Sequence, residues 1–238
     1  MGLLFEFNLS RNVIKRHVLE NGVSLFFESQ AVNMLSFQSL TTLILSGTTG
    51  SGKTTWLKKL IAYKKQMFSK EPLKILYFYG VWQPMFEDME KWGVQFVKGL
   101  PQDLENDSGV HMLVVLDDLQ DEVTKSDHVE NLFTRGSHHK NITVVYLTQN
   151  LFRQGKSARN IALNAHYVIL FKNPRDIGQI GHFGRQLGCS NFLKKAFQDA
   201  TDEKYGYLIV DLSPHLEEQY RFRTKIWPDE YTIVYRPL

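Results

Sequence analysis

The sequence predicts an α/β fold in which a mostly parallel sheet is covered on both faces by helices. Two observations lead to this prediction. Five apolar runs follow one another along the chain, at residues 41–46, 74–79, 112–116, 142–147 and 166–171. Each run is apolar from end to end, which is typical of parallel strands buried on both faces. Segments with helical periodicity separate most of the runs, and this alternation is typical of doubly wound α/β proteins.

The other elements follow from the periodicity of their apolar residues. Helical spacing predicts helices in five segments, namely from 54 onward, at 84–92, between 123 and 133, at 177–187 and around 192–197. Apolar and β-branched residues predict four further strands, at 94–98, 207–212, 220–226 and 231–235. The tail of the chain therefore returns to strand character after the helices.

The two ends of the chain differ in pattern from its middle. Asn21-Gly22 lies between two short apolar segments and predicts a hairpin turn. We therefore predict a β-rich N-terminal extension at 1–36, an α/β core at 37–200 and a β-strand C-terminal extension at 201–238.

Composition excludes several classes of protein. Of the 238 residues, 43% are hydrophobic and 22% charged, so wholesale disorder is excluded. The formal net charge of +3 permits a nucleic-acid partner without requiring one. Cys189 is the one cysteine, which excludes an internal disulfide and a thiolate zinc site. No uncharged stretch is apolar enough to suggest a membrane helix, so we expect an intracellular protein with no membrane partner.

A glycine-rich loop follows the first apolar run and precedes a helical pattern. It matches G-x-x-x-x-G-K-[ST] without a mismatch, in the residues Gly47, Thr48, Thr49, Gly50, Ser51, Gly52, Lys53 and Thr54. Glycines allow backbone N–H groups to approach phosphates, and the helix N-terminus attracts the anion. Lys53 is predicted to neutralise the β- and γ-phosphates, and the Thr54 hydroxyl to bind Mg²⁺. These residues and Thr55 form the predicted ATP site.

Two carboxylates end the third apolar run. Asp117 is predicted to hold Mg²⁺, and Asp118 to orient the attacking water, as in a Walker B motif. Glu122, one helical turn further on, is the alternative base. A solvated turn or a helix cap is the alternative interpretation of the acidic pair.

The fourth apolar run ends in a polar amide, Gln149. At the tip of a strand beside the phosphate loop, this side chain is predicted to contact the γ-phosphate and sense its presence. A surface amide that caps the next turn is the alternative.

The order of these motifs resembles that of additional-strand P-loop ATPases of the FtsK/HerA superfamily. Four segments resemble more narrowly the poxvirus-type genome-packaging ATPases, especially those of Polinton/Maverick elements and related DNA viruses: 79–84 (YGVWQP), 132–141 (LFTRGSHHKN), 163–167 (LNAHY) and 171–176 (FKNPRD). The resemblance covers roughly residues 38–190. It implies a motor that threads double-stranded DNA into a preformed capsid.

The resemblance also implies partners and a catalytic residue. It implies a homo-oligomeric ring, a pentamer or hexamer, that contacts capsid vertex proteins inside the infected or host cell and associates with the virion. In such rings a neighbouring subunit supplies an arginine to the γ-phosphate. Arg135 matches that position, while Arg153, Arg159 and Arg175 are competitors. A solvated helix-end arginine is the alternative role for Arg135.

Other functions and other contacts remain open from the sequence. A P-loop nucleotide or nucleoside kinase is one alternative function, and a nucleotide-dependent switch without motor activity is another. A basic loop at 153–159 and a basic strand face at 221–225 are candidate DNA contacts, although a solvated face is the simpler interpretation of the second. Phe37 and Trp82 are either core residues or stack on adenine.

Overall fold

The computed structural model describes most of the chain, in two compact units. The described residues are 4–9, 12–18 and 23–28, by their backbone alone, and 36–100, 104, 106, 109–123, 126–133, 140–151, 156–175 and 177–237. One unit contains Ser36–Val168, and the other contains Met1–Leu35 and Ile169–Leu238. The domain boundaries predicted after residues 36 and 200 stay predictions.

Strands and helices alternate along most of the chain. The strands are β1 (Leu4–Leu9), β2 (Asn12–Val18), β3 (Val23–Glu28), β4 (Thr42–Ser46), β5 (Lys74–Tyr79), β6 (Val94–Lys98), β7 (Met112–Asp117), β8 (Ile142–Thr148), β9 (Tyr167–Phe171), β10 (Tyr207–Asp211), β11 (Phe222–Thr224) and β12 (Thr232–Pro237). The helices are α1 (Lys53–Ala62), α2 (Lys64–Met67), α3 (Phe86–Glu90), α4 (Gln120–Val123), α5 (Asp127–Asn131), α6 (Lys156–Leu163), α7 (Ile177–Gln186) and α8 (Ser190–Ala200). No helix among these described residues is long and apolar enough to cross a membrane.

The unit at Ser36–Val168 is built on a parallel sheet in the order β4-β8-β7-β5-β6. Every residue of β4, β7 and β8 is buried, as expected for strands covered on both faces. The strand β8 lies between β4, which leads into the phosphate loop, and β7, which ends in the acidic pair. The carboxyl ends of these three strands therefore lie side by side at one edge of the sheet.

Aromatic side chains fill part of the core of this unit. The helix α1 buries Trp56, Leu57, Leu60 and Ile61. Phe37 is fully buried, with its ring 4.9 Å from the ring of Tyr167 and 6.1 Å from that of Trp56. Phe37 is thus a core residue, and the interpretation that it stacks on adenine is wrong.

The unit of Met1–Leu35 and Ile169–Leu238 carries the β-rich ends of the chain. Its antiparallel strands follow the order β1-β2-β3-β12-β11-β10. The predicted Asn21-Gly22 turn lies outside the described residues, whereas β2 and β3 on either side of it pair antiparallel. The helices α7 and α8 approach closely, and Ser190 Oγ donates a hydrogen bond to the Gly181 carbonyl at 2.9 Å.

Two predictions about basic segments are wrong. Lys156 and Arg159 belong to the helix α6 rather than to a loop, and this helix is tied to α5 by a 2.7 Å hydrogen bond from Asn160 Nδ2 to Glu130 Oε1. Arg153 lies outside the described residues. The predicted basic strand face does not exist either, because Arg223 is 1% exposed and pairs with Asp211 at 2.9 Å. A buried guanidinium is available neither to solvent nor to DNA phosphates.

Candidate functional site

The glycine-rich loop connects β4 to α1. Its first amide, Gly47 N–H, donates to the Thr148 carbonyl of β8 at 3.2 Å, and the Ser51 amide donates to the Thr48 carbonyl at 3.2 Å. Gly50 and Gly52 have φ angles of 76° and 102°, in the left-handed region that favours glycine. The helix α1 then begins at Lys53, so its amino end lies at the loop.

The loop has the features that a phosphate group requires. The space around Gly50 is open, because a Cβ added there would meet no atom within 4 Å. Ser51 Oγ is buried and makes no hydrogen bond within the described residues. Thr54 is half-buried and Thr55 exposed in the first turn of α1. Free amides at a helix N-terminus and an unused hydroxyl suit a bound anion, so these residues fit the phosphates of ATP.

Lys53 is held at the loop by the loop's own backbone. Its Nζ donates to the Gly47 carbonyl at 2.5 Å and to the Thr48 carbonyl at 2.9 Å. Burial lowers the pKa of Lys53, while the charges of Asp117 and Asp118 oppose this shift. The structure therefore brings the loop lysine and both acids into one electrostatic cluster.

Asp117 is a buried carboxylate at the end of β7. Its side chain accepts a hydrogen bond on Oδ2 from the Tyr77 hydroxyl at 2.6 Å. Burial raises the pKa of Asp117, and the hydrogen bond from Tyr77 and the charge of Lys53 act in the opposite direction. A buried carboxylate held by a neutral donor retains the capacity to accept a cation.

The turn after Asp117 depends on a close approach by Gly80. Asp118 is exposed and has a φ angle of 56°, an uncommon backbone conformation for a residue other than glycine. Gly80 N–H donates to the Asp117 carbonyl at 3.0 Å. A Cβ on Gly80 would lie 2.2 Å from the Asp118 carbonyl oxygen, so only glycine fits there. Glu122, the alternative base, is exposed on α4.

Gln149 is exposed immediately after β8. Neighbouring strands lie about 4.8 Å apart. The tip of β8 is therefore about one strand spacing from the end of β4, where the phosphate loop begins, and about one strand spacing from the acidic end of β7. The backbone here is fixed by Thr148, whose Oγ1 accepts from the Asn150 amide at 3.2 Å and donates to the Asn150 carbonyl at 3.0 Å. The backbone of Gln149 thus lies between the end of β4, which leads into the loop, and the end of β7, which carries the acids.

The four arginines considered for the transition state are placed only in part. Arg135 and Arg153 lie outside the described residues. Arg159 is exposed on α6. Arg175 is exposed after β9, and its backbone amide donates to Asn173 Oδ1 at 3.2 Å.

The chemistry of the donor set fits Mg²⁺ bound together with a nucleotide. The described residues contain no group of three or more His, Cys, Asp or Glu side chains that could hold a metal ion alone. Mg²⁺ normally takes one or two carboxylates together with water and substrate phosphates, so such a group is not required. Thr54 and Asp117 supply a hydroxyl and a carboxylate of the suitable type.

Comparison with known proteins identifies the fold. No family model matches the chain, and no curated protein matches it by sequence. The genome-packaging NTPase B204 from Sulfolobus turreted icosahedral virus 2, in complex with ATP-gammaS, matches with a TM-score of 0.51 and 12% identity. The alignment covers 84% of this chain and 98% of that chain. The fold is that of a P-loop NTPase.

A second structure of B204, in complex with AMPPCP, agrees with this identification. It matches with a TM-score of 0.50 and 12% identity, over 84% of this chain and 98% of that chain. The predicted fold class is therefore confirmed. At this level of identity the likeness concerns the fold, and the activity is a separate question.

Two residues of the site were missed by the sequence analysis. In the sequence analysis Tyr77 is only one residue of the apolar run at 74–79, and Gly80 only one residue of the segment 79–84 that resembles packaging ATPases. Tyr77 lies on the strand next to the one that ends in Asp117. Finding the role of Tyr77 requires the knowledge that β5 is the neighbour of β7, and the sequence pattern does not give the order of the strands in the sheet.

Proposed function

We propose that this protein is a Mg²⁺-dependent ATPase that couples ATP hydrolysis to the translocation of double-stranded DNA into a capsid. The observation that carries the proposal is the convergence of the phosphate loop, the acidic pair and Gln149 on one sheet edge, with β8 between β4 and β7. The fold shared with the viral genome-packaging NTPase B204, described in complexes with ATP analogues, supports it.

Each residue has a role in this proposal that follows from its chemistry. Lys53 leaves the loop carbonyls and neutralises phosphate charge, while backbone amides of the loop bind the phosphates. Thr54 and Asp117 hold Mg²⁺, which supplies further neutralisation of the phosphate charge when it is bound. Asp118, with Glu122 as the alternative, orients a water molecule toward the γ-phosphate.

Gln149 is the proposed sensor of the γ-phosphate. It is exposed at the strand tip between the two motifs, and an amide there donates to a phosphate oxygen and accepts from a water molecule. Hydrolysis removes its partner, and the change is transmitted to the backbone after β8. This role distinguishes Gln149 from a surface amide that only caps a turn.

The proposal includes an assembly. The chain forms a pentameric or hexameric ring around DNA at a capsid vertex, in the infected or host cell and in association with the virion, as in poxvirus-type packaging ATPases of Polinton/Maverick elements. Arg135 of a neighbouring subunit, or one of Arg153, Arg159 and Arg175, stabilises the charge of the transition state.

The test is steady-state phosphate release with and without linear double-stranded DNA. We expect DNA to stimulate turnover and Lys53→Ala to lower it about 100-fold or more, because the phosphate charge loses its counter-ion. Lys58→Ala is the matched control: it removes a lysine of the same helix, one that pairs with Asp88 at 2.6 Å, and turnover should stay within about twofold.

Three results of this experiment would contradict the proposal. Phosphoryl transfer from ATP to an added nucleoside or nucleotide would identify a kinase. Tight ATP binding without phosphate release would identify a nucleotide-dependent switch. Full activity in Lys53→Ala would reject the assignment of the phosphate loop itself. Particle images with ATP and DNA then test the ring directly.

A further inference from the structure

The strand next to the acidic pair contributes a side chain to it. In the parallel pairing of β5 and β7, Tyr79 lies opposite Asp117, and Tyr77 lies opposite Val115. Tyr77 and Asp117 therefore project from the same face of the sheet, as diagonal neighbours that a long aromatic side chain can bridge. The 2.6 Å hydrogen bond from the Tyr77 hydroxyl to Asp117 Oδ2 closes this diagonal.

The ring of Tyr77 packs in a cluster of aromatic rings. It is fully buried, and its centroid lies 4.8 Å from the ring of Phe86 and 4.8 Å from the ring of Phe96. Phe86 and Phe96 stack on each other at 4.6 Å. A fully buried ring packed against two neighbours has little freedom to move, so its hydroxyl is held in one position relative to β7.

The direction of the hydrogen bond is also determined. A phenol has an ordinary pKa of about 10 and is protonated at neutral pH, whereas an ionised carboxylate can only accept a hydrogen bond. The Tyr77 hydroxyl therefore donates the hydrogen bond, and Asp117 Oδ2 accepts it. The backbone of Asp118 also hydrogen-bonds this carboxylate. Because an ionised carboxylate has about four lone-pair sites, two neutral donors leave it the capacity to bind a cation as well.

We propose that Tyr77 is a positioning residue, which holds Oδ2 of Asp117 and so orients the carboxylate for Mg²⁺. The inference rests on the proposed function and extends it to a residue outside both sequence motifs. Partners of this kind commonly determine the orientation of a metal ligand, and their removal typically costs 10- to 100-fold in metal affinity or activity.

The test compares two tyrosines of the same strand. Tyr77→Phe removes the hydroxyl and keeps the ring packed against Phe86 and Phe96. Tyr79→Phe is the matched control, because its ring lies in the same aromatic cluster, 5.7 Å from Phe86, while its hydroxyl makes no hydrogen bond to Asp117. The measurement is the Mg²⁺ concentration for half-maximal binding of a non-hydrolysable ATP analogue, together with the Mg²⁺ dependence of turnover.

We expect Tyr77→Phe to raise the half-maximal Mg²⁺ concentration about 10-fold, and saturating Mg²⁺ to restore turnover. Tyr79→Phe should stay within about twofold of the unmodified protein. Restoration by Mg²⁺ is the result that a purely structural role would not produce, since added metal does not repair a loosened core.

The opposite results separate this inference from the proposed function. An unchanged Mg²⁺ midpoint in folded Tyr77→Phe, in a protein whose unmodified form hydrolyses ATP, overturns the inference alone. A loss of turnover that saturating Mg²⁺ does not restore also overturns it. Absence of Mg²⁺-dependent nucleotide binding by the unmodified protein overturns both proposals.

If Tyr77→Phe does not fold, the variant Phe96→Leu tests the inference instead. It loosens the packing of the Tyr77 ring and keeps the hydroxyl. A raised Mg²⁺ midpoint in this variant supports the inference, and an unchanged midpoint overturns it.

Discussion

Asp117 and Asp211 occupy similar positions in the two units of the molecule. Each is the last residue of a strand that is buried along its whole length, in the sequences MLVVLD of β7 and YLIVD of β10. Each aspartate is itself buried, with exposed fractions of 6% and 2%. By sequence pattern alone, both qualify as an acid at the end of a parallel-type strand.

Their partners are different. Asp211 accepts from Arg223 Nη2 on Oδ2 at 2.9 Å and from the Ser213 amide on Oδ1 at 3.0 Å, so its charge is balanced and both oxygens are occupied. Asp117 accepts from two neutral donors, the Tyr77 hydroxyl and the backbone of Asp118, and makes no ion pair within the described residues. The partner of a buried acid, and not its position at a strand end, therefore decides whether the acid stabilises the fold or is available to a ligand.

The largest expected effect comes from breaking the balanced pair. Asp211→Asn leaves the Arg223 guanidinium buried without a counter-ion, and Arg223 Nε already has no hydrogen bond partner within the described residues. We expect the free energy of unfolding to fall by about 3–5 kcal/mol, measured by urea denaturation. In native buffer the folded fraction should still bind ATP.

The control for this variant is an exposed ion pair of the same unit. Glu218→Gln removes the partner of Arg221, and Glu218 is 77% exposed, so the loss should stay below about 1 kcal/mol. If Asp211→Asn lowered the free energy of unfolding as little as Glu218→Gln does, the buried Asp211–Arg223 pair would not be important for stability.

The second prediction concerns the acid that lacks an ion pair. Asp117→Asn should lower ATP turnover about 100-fold or more, because Mg²⁺ loses its charged ligand. The free energy of unfolding should stay the same or rise, since burial raises the pKa of Asp117 and so disfavours its ionised form in the folded protein. Phosphate release and urea denaturation are measured on the same preparations as for Asp211→Asn.

The two variants together can contradict the distinction between Asp211 as a structural acid and Asp117 as a ligand of Mg²⁺. If Asp117→Asn were to lose stability as Asp211→Asn does while it kept its turnover, the two acids would belong to one structural class. The proposed metal site would then have to lie elsewhere.

The sequence was sufficient to predict the parallel strands. The runs at 74–79 and 94–98 coincide with β5 and β6, and the run at 112–116 is extended by one residue to Asp117. Strands buried on both faces need apolar residues at every position, and this pattern is readable without knowledge of their neighbours. The phosphate loop is equally local, because its glycines and its lysine are consecutive in the chain.

The contacts between segments that are far apart in the chain could not be predicted from the sequence. Tyr77 and Asp117 are 40 residues apart, and their hydrogen bond depends on which strands are neighbours. Arg223 alternates with apolar residues and so predicts a polar face, but its counter-ion comes from another strand and allows it to be buried. The helix α6 was missed because its eight residues span only about two turns, too few for a clear apolar period, although Ile161 is buried.

His111, which directly precedes β7, provides the smallest expected effect and a third kind of buried polar group. Its Nδ1 donates to the Lys70 carbonyl at 2.7 Å, which leaves Nε2 to accept from the Thr143 hydroxyl at 2.7 Å. Burial lowers the pKa of His111 below its usual value of 6.5. The unfolded chain therefore takes up a proton first, and the free energy of unfolding should fall as the pH drops below about 6.5 toward the lowered pKa of the folded state.

His111→Gln should reduce this pH dependence and leave ATP turnover at pH 7.5 close to that of the unmodified protein, because the residue is at the opposite end of β7 from Asp117. Urea denaturation between pH 5 and pH 8 measures the effect. His182→Gln, on the exposed side of α7, changes the number of histidines equally without touching β7 and should keep the dependence of the unmodified protein. A loss of turnover in His111→Gln would contradict the assignment of His111 to the stability of the fold rather than to the ATP site.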